Sequence, residues 1–198
     1  MSEINLLLTN LEFNWSIIET TAVLLSIIYV ILAAKQSIWC WAFAAISVIL
    51  YIYICFTSEL FAETGLQCFY LFMAIYGYYN WNESNGELKV SQWPASKHLL
   101  LILLGAIAAF LIGFYFTTYT NAKMPIVDSF TTVFAVIATY MMTKKVLENW
   151  LYWIVIDIVS IYLYFNRDLH LTSLLFIVYT LIAIFGYLSW LRKIDLDA

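Results

Sequence analysis

"GYYNW" (77–81) and "GYLSW" (186–190) each close an apolar stretch of this chain, and they are one ending written twice. Their final residues, Trp81 and Trp190, lie 109 positions apart. Sliding the chain on itself by that offset also aligns Lys35 with Lys144, Trp41 with Trp150, Tyr53 with Tyr162, Leu60 with Leu169 and Tyr70 with Tyr179. Ala74 meets Ala183, Gly77 meets Gly186, and Glu19 meets the like-charged Asp128. No gap is needed across three consecutive apolar stretches. Chance apolar matches are common in hydrophobic chains, but paired Trp, Tyr, Gly and Lys and a pair of acids at one offset are not. The chain reads as two copies of one unit.

Composition says what kind of unit this is. The 198 residues are 64% hydrophobic and 11% charged, with mean hydropathy +0.87. Soluble domains carry about 25% charge, so this chain is an integral membrane protein. Runs of roughly 20 apolar residues cross a hydrocarbon core about 30 Å thick, and they can be placed at 16–34, 37–56, 61–81, 99–118, 126–143, 149–165 and 171–190. Lipid offers backbone groups no partner, so these runs must be helices; the absence of strand alternation argues against a barrel.

The expected fold is an all-α integral membrane protein with seven transmembrane helices. Two parallel three-helix repeats, 16–81 and 126–190, are joined by a connecting helix at 99–118 in a 3+1+3 arrangement, within a single membrane domain spanning 1–198. Two three-helix units joined directly would sit in opposite orientations, and the single extra helix returns the chain to its starting side. Parallel repeats of this kind occur in transporters, with the substrate site near the midplane between them.

Lys35, Lys89, Lys97, Lys144, Lys145, Arg192 and Lys193 fall on the side of the C-terminus, against Lys123 and Arg167 on the other. Seven against two places the C-terminus in the cytoplasm and the N-terminus outside. The opening segment holds Glu3 and Glu12 but no Lys or Arg, so no cleaved signal peptide is expected. The connection 82–98, with its turn formers and Pro94, reads as a cytoplasmic linker. Cys40, Cys55 and Cys68 suit neither a disulfide framework nor a zinc site and read as small packing residues. His98 and His170 fall on opposite sides of the membrane. Nothing in the chain calls for a cofactor or metal, and no basic cluster points to nucleic acid.

Ionisable and polar residues at membrane depth are costly and tend to face a cavity or partner. Asp157, in the middle of the sixth span, is the deepest. Asn149, Trp153, Asp157 and Ser160 recur at helical spacing and share one stripe, which Trp150 flanks. Gln67 and Tyr70, followed by Ala74, offer a matching stripe on the third span, and Tyr179 is the repeat image of Tyr70. Facing stripes of this kind could hold a small aromatic cation through stacking and cation–π attraction. Other readings stand beside these. Glu19 and Asp128 suit either a ligand or a helix N-terminus, and Gln67 either a ligand or an interhelical hydrogen bond. Trp39, Trp41, Trp81 and Trp190 read as interfacial belt, and Gly77 and Gly186 as points of close helix packing.

A retinal photoreceptor is excluded, because the only lysine near the last span, Lys193, lies beyond its end. An enzyme using Glu19 and Asp128 as acid and base lacks the expected His or nucleophile–base pair. There is no phosphate-binding loop for ATP. A carrier, with a channel as its non-enzymatic rival, remains.

On "LQCFYLFMAIYGYYNW" (66–81), "VDSFTTVFAVIATYMMTKKVLENWLYWIVIDIVSIYLY" (127–164) and "LTSLLFIVYTLIAIFGYLSW" (171–190), the chain resembles the Pnu vitamin transporters of bacteria. The resemblance implies a 3+1+3 core similar to that of SWEET sugar transporters, and uptake of a B vitamin by facilitated diffusion across the inner membrane. It also implies retention by a cytoplasmic vitamin kinase, and it extends to a homotrimer. Nicotinamide riboside carriers of the family tend to have asparagine where this chain has Ser47, Ala74 and Asp157. That difference makes thiamine, the substrate of the branch called PnuT, the first expectation and nicotinamide riboside the alternative.

Overall fold

The computed structural model describes residues 17–83, 88–120, 123–167 and 169–197. Seven helices follow in chain order among them: α1 (Ile17–Ala34), α2 (Cys40–Thr57), α3 (Phe61–Glu83), α4 (Ala95–Tyr119), α5 (Pro125–Thr143), α6 (Asn149–Phe165) and α7 (His170–Asp197). The opening segment with Glu3 and Glu12, and 84–87 of the linker, lie outside the described residues.

Helix starts follow local chemistry. Pro94, extended at φ −64 and ψ 147, precedes α4, and Pro125 opens α5. Proline fixes φ and lacks the N–H that a first turn leaves unused. Five helices, α1, α2, α4, α5 and α7, are long and apolar enough to cross a membrane. The other two fall short of the sequence expectation by those measures. α6 has 17 residues, about 25 Å at 1.5 Å per residue, and α3 dilutes its apolar content with Glu63, Gln67 and Asn80.

Consecutive helices pack within two groups, α1 on α2 on α3 and α5 on α6 on α7. Between the groups α1 meets α7 and α3 meets α5, whereas α4 packs on α5 and on no other helix among the described residues. Exchanging α1 with α5, α2 with α6 and α3 with α7 leaves this scheme of contacts within and between the groups unchanged.

The turns after α1 and α5 repeat the pattern bond by bond. Gln36 and Lys145, 109 positions apart, both adopt left-handed backbone, at φ 57 and 49. Gln36 N–H donates to Ala33 O at 2.9 Å and Lys145 N–H to Met142 O at 3.1 Å. Ser37 N–H to Leu32 O and Val146 N–H to Met141 O follow at 2.9 and 3.0 Å. A left-handed residue just past a helix lets the chain fold back onto the last carbonyls.

Trp41, Trp81, Trp150 and Trp190 are buried and meet at one end of the bundle. Trp41 packs edge-on against Trp81 and Trp150 edge-on against Trp190, with ring centroids 5.3 and 5.5 Å apart; Trp81 and Trp190 lie 6.3 Å apart. The indole N–H of Trp81 donates to Thr143 O and that of Trp190 to Ala33 O, each at 3.1 Å. Each tie crosses from one helix group to the other. The belt reading of Trp41, Trp81 and Trp190 is thus corrected. With rings packed together and two of the N–H groups bonded inside the protein, these side chains gain nothing from the headgroup layer. Trp39 is 68% exposed and fits the belt.

Gly77 and Gly186 explain the repeated ending. A Cβ at Gly186 would lie 2.7 Å from the Trp150 ring, and one at Gly77 would overlap the ring of Trp41. In each ending the glycine seats a tryptophan of its own group, and the tryptophan four residues on reaches the other group.

The linker is docked rather than loose. Ser91 N–H donates to Lys145 O at 2.9 Å, and Leu147 N–H to Ser91 O at 2.8 Å. Trp93 N–H reaches Glu148 Oε2 at 3.3 Å, and the His98 ring reaches the Tyr152 hydroxyl at 3.2 Å. Lys145 is held under this strap, with Nζ 4.5 Å from the Trp81 ring centre. Burial, followed by the nearby Lys193, lowers its pKa from the ordinary 10.5. The folded protein then loses this proton before the unfolded chain does, so Lys145 contributes stability that grows as pH rises toward 10.5. In thermal melts, Lys145→Gln is expected to remove that part of the alkaline gain. Cys40 and Cys55 are buried as expected; Cys68 is exposed on the outer face of α3, so the packing reading does not hold for it.

Candidate functional site

A cavity of about 470 Å³ lies between the two groups of helices, within the 300–1,000 Å³ typical of small-molecule sites. It runs from Asp128 and Thr172, in the first turns of α5 and α7, to Trp41, Trp150 and Met142 beside the tryptophan cluster. Most of its wall comes in pairs 109 positions apart. Leu66 and Leu175, Tyr70 and Tyr179, Ala74 and Ala183, and Trp41 and Trp150 are identical pairs. Ala44 and Trp153, Val48 and Asp157, Tyr51 and Ser160, and Gln67 and Phe176 are pairs whose chemistry differs.

Eight of the ten residues singled out from sequence line this cavity: Gln67, Tyr70, Asp128, Trp150, Trp153, Asp157, Ser160 and Tyr179. The α6 stripe continues past Ser160 to Tyr164 rather than back to Asn149. Asn149 is fully buried outside the wall, its Nδ2 donating to Val146 O at 2.6 Å in the turn before α6. Glu19 sits in the first turn of α1, also outside the wall. Ser26, Tyr29 and Tyr51, on α1 and α2, were missed, whereas Ser47, noted from sequence as a departure from the family, lines the wall. The repeat carried a signal for one of them, because Tyr51 is the image of Ser160.

Several polar groups on the wall are already engaged. The Tyr179 and Ser26 hydroxyls are hydrogen-bonded to each other, tying α7 to α1. Ser47 Oγ donates to Ala22 O at 2.8 Å, so its hydroxyl serves helix packing. Asp128 pairs with Arg167 at 3.2 Å, and Arg167 also donates to Lys123 O at 2.6 Å. The Asp128 side chain is 44% exposed, so this ion pair is worth under about 1 kcal/mol. Arg167→Gln is expected to lower stability by no more than that, with the loss shrinking further in high salt, as read from thermal melts.

The indole N–H groups of Trp41 and Trp150 are buried without a hydrogen-bond partner, and both rings line the cavity. Asp157, 3% exposed, makes no hydrogen bond or ion pair among the described residues. A cavity with aromatic walls and the Asp157 carboxylate can hold a small aromatic solute. No cluster of three or more His, Cys, Asp or Glu side chains suited to a metal is present among the described residues.

A multi-helix bundle with a solute-sized cavity between its two helix groups fits a membrane transporter of small molecules. The chain belongs to the nicotinamide mononucleotide transporter family, whose model matches residues 16–192. It is 27% identical to the nicotinamide riboside transporter PnuC of Escherichia coli, over 92% of this chain and 87% of that one. The PnuC of Neisseria mucosa is 25% identical, over 89% of this chain and 73% of its own length. The riboflavin/roseoflavin transporter RibM of Streptomyces davaonensis is 22% identical, over 84% and 81%. In fold, the chain is similar to the crystal structure of the vitamin B3 transporter PnuC, with a TM-score of 0.74 over 98% of this chain and 88% of that one at 22% identity. The protein is therefore a multi-pass membrane transporter of the Pnu family and not an enzyme.

Proposed function

We propose that this protein takes up nicotinamide riboside across a bacterial inner membrane by facilitated diffusion. The observation that carries this reading is a cavity of nucleoside size between the two helix groups, lined by aromatic rings and the Asp157 carboxylate. The named relatives, which carry nicotinamide riboside and riboflavin, shift the substrate away from thiamine. Thiamine, the first expectation, keeps one supporting feature, the Asp157 carboxylate that suits its aminopyrimidine.

The same reading takes helices α1–α3 and α5–α7 as two parallel repeats, 16–81 and 126–190, with α4 as connector. Support comes from the exchange-invariant packing, the matched turns and the paired cavity wall. Alternating access then amounts to rocking one repeat against the other, with the N-terminus outside, the C-terminus in the cytoplasm, and phosphorylation of the vitamin retaining it inside.

The test is a titration of purified protein with nicotinamide riboside and with thiamine, by calorimetry and tryptophan fluorescence. Saturable binding of the riboside is expected. Binding of thiamine alone would reverse the assignment.

A further inference from the structure

The charged side chains on the cavity wall are two acids, Asp128 and Asp157, and the wall contains no Lys, Arg or His. Asp128 is neutralised by Arg167 at the exposed end. Asp157 is left as an unpaired buried carboxylate at membrane depth, where an isolated charge is costly. A structural role does not account for it, because it bonds to no other helix among the described residues. Nor does the repeat require it, since the equivalent position on α2 is Val48.

One turn before Asp157, Trp153 adds an aromatic face to the same wall, and its equivalent on α2 is Ala44. Carboxylate and indole, four residues apart on one helix, together form a seat for a positive charge. The corresponding seat on α2 is apolar and blank. The conserved pairs, Tyr70 with Tyr179 and Trp41 with Trp150, treat both ends of a ligand alike, so the ligand's polarity is set where the pairing breaks.

We infer that this carrier discriminates by charge, binding cationic solutes and rejecting neutral ones of the same shape, and that Asp157 is the residue that decides. The inference rests on the vitamin-carrier reading and narrows it to a substrate class: an aromatic cation seated against α6. Riboflavin, a neutral flavin, falls outside that class.

The experiment compares nicotinamide riboside with its uncharged dihydro form, nearly identical in size, on the intact protein. Calorimetric affinities are measured for the wild type and for Asp157→Asn, which keeps the shape and removes the charge. The wild type is expected to prefer the cation by at least about 30-fold, the scale of losing one partner of a buried pair. In Asp157→Asn that preference should fall to about 3-fold or less, mainly through weaker binding of the cation.

A wild type that binds both forms equally overturns the inference, and this arm does not depend on the variant folding. A folded Asp157→Asn that keeps the full preference also overturns it. In either case the vitamin-carrier reading survives, because the riboside still binds. A wild type that binds neither form sinks the nicotinamide riboside reading on which the inference is tested.

Discussion

Replacing Gly186 by leucine is expected to cost about 3 kcal/mol or more and to remove most of the folded protein from a detergent extract. A Cβ alone would lie 2.7 Å from the Trp150 ring. Trp150 has no room to retreat, since it is 1% exposed and its ring lies edge-on to Trp190. Overpacking a tight core costs about 1–3 kcal/mol, and a branched side chain exceeds what one methyl would cause. Gly186→Ala should fall within that range, and Gly77→Leu, against Trp41, should behave like Gly186→Leu. Gly65→Ala supplies the control: a Cβ there meets nothing within 4 Å, so its melting temperature should stay level or rise through better helix propensity. Size-exclusion profiles and circular-dichroism melts read all four variants.

The second large effect is expected at Trp190. Trp190→Ala empties the centre of the tryptophan cluster from a side chain with 0% exposure, and such truncations cost about 3–5 kcal/mol. Trp190→Phe keeps most of the ring and removes the N–H. It should cost only about 0.5–1.5 kcal/mol, because Ala33 O also accepts from Gln36 N–H. Trp81→Phe should be similarly mild, since Asn80 Nδ2 donates to the same Thr143 carbonyl at 2.6 Å. If the phenylalanine variants proved as damaging as the alanine variant in melts, the hydrogen bonds rather than the ring volume would hold the cluster together.

These residues also mark where sequence could be read and where it could not. The offset of 109 was legible because Trp, Gly and Tyr are rare enough to stand out against an apolar background. Helix positions followed from hydropathy to within a few residues, save at α4, where Pro94 starts the helix earlier than its apolar run suggests, and at α7, which runs on to Asp197 beyond its apolar run. Burial of Trp41, Trp81 and Trp190 was not legible. A tryptophan near the end of a span looks the same whether it meets headgroups or other tryptophans, and the difference lies in contacts between distant helices. Asn149 fits its helical stripe as well as Trp153 does, yet it is spent on a turn because it is the first residue of α6. Asp157 was conspicuous from its position in the chain. The cavity wall, which needs both helix groups, exists only in three dimensions, and the named relatives moved the preferred substrate from thiamine to nicotinamide riboside.

The packing of α1 against α7 has a consequence in time. α1 emerges from the ribosome early and its partner helix is the last one described, so well over a hundred residues, from Ala34 to His170, separate them. At about 5–20 residues per second, the interval between completing α3 and completing α7 is about 6–20 s. Throughout it, Gln67, Ser26 and the Trp41 indole sit on the open face of a half-built vestibule, without the helices that later cover them. The newborn chain must be sheltered for that long, or its two ties across the bundle, Trp81 to Thr143 and Trp190 to Ala33, form against the wrong neighbour. Anything that slows synthesis through α5 and α6 lengthens the exposure, which makes the pace of translation part of how this carrier reaches the membrane intact.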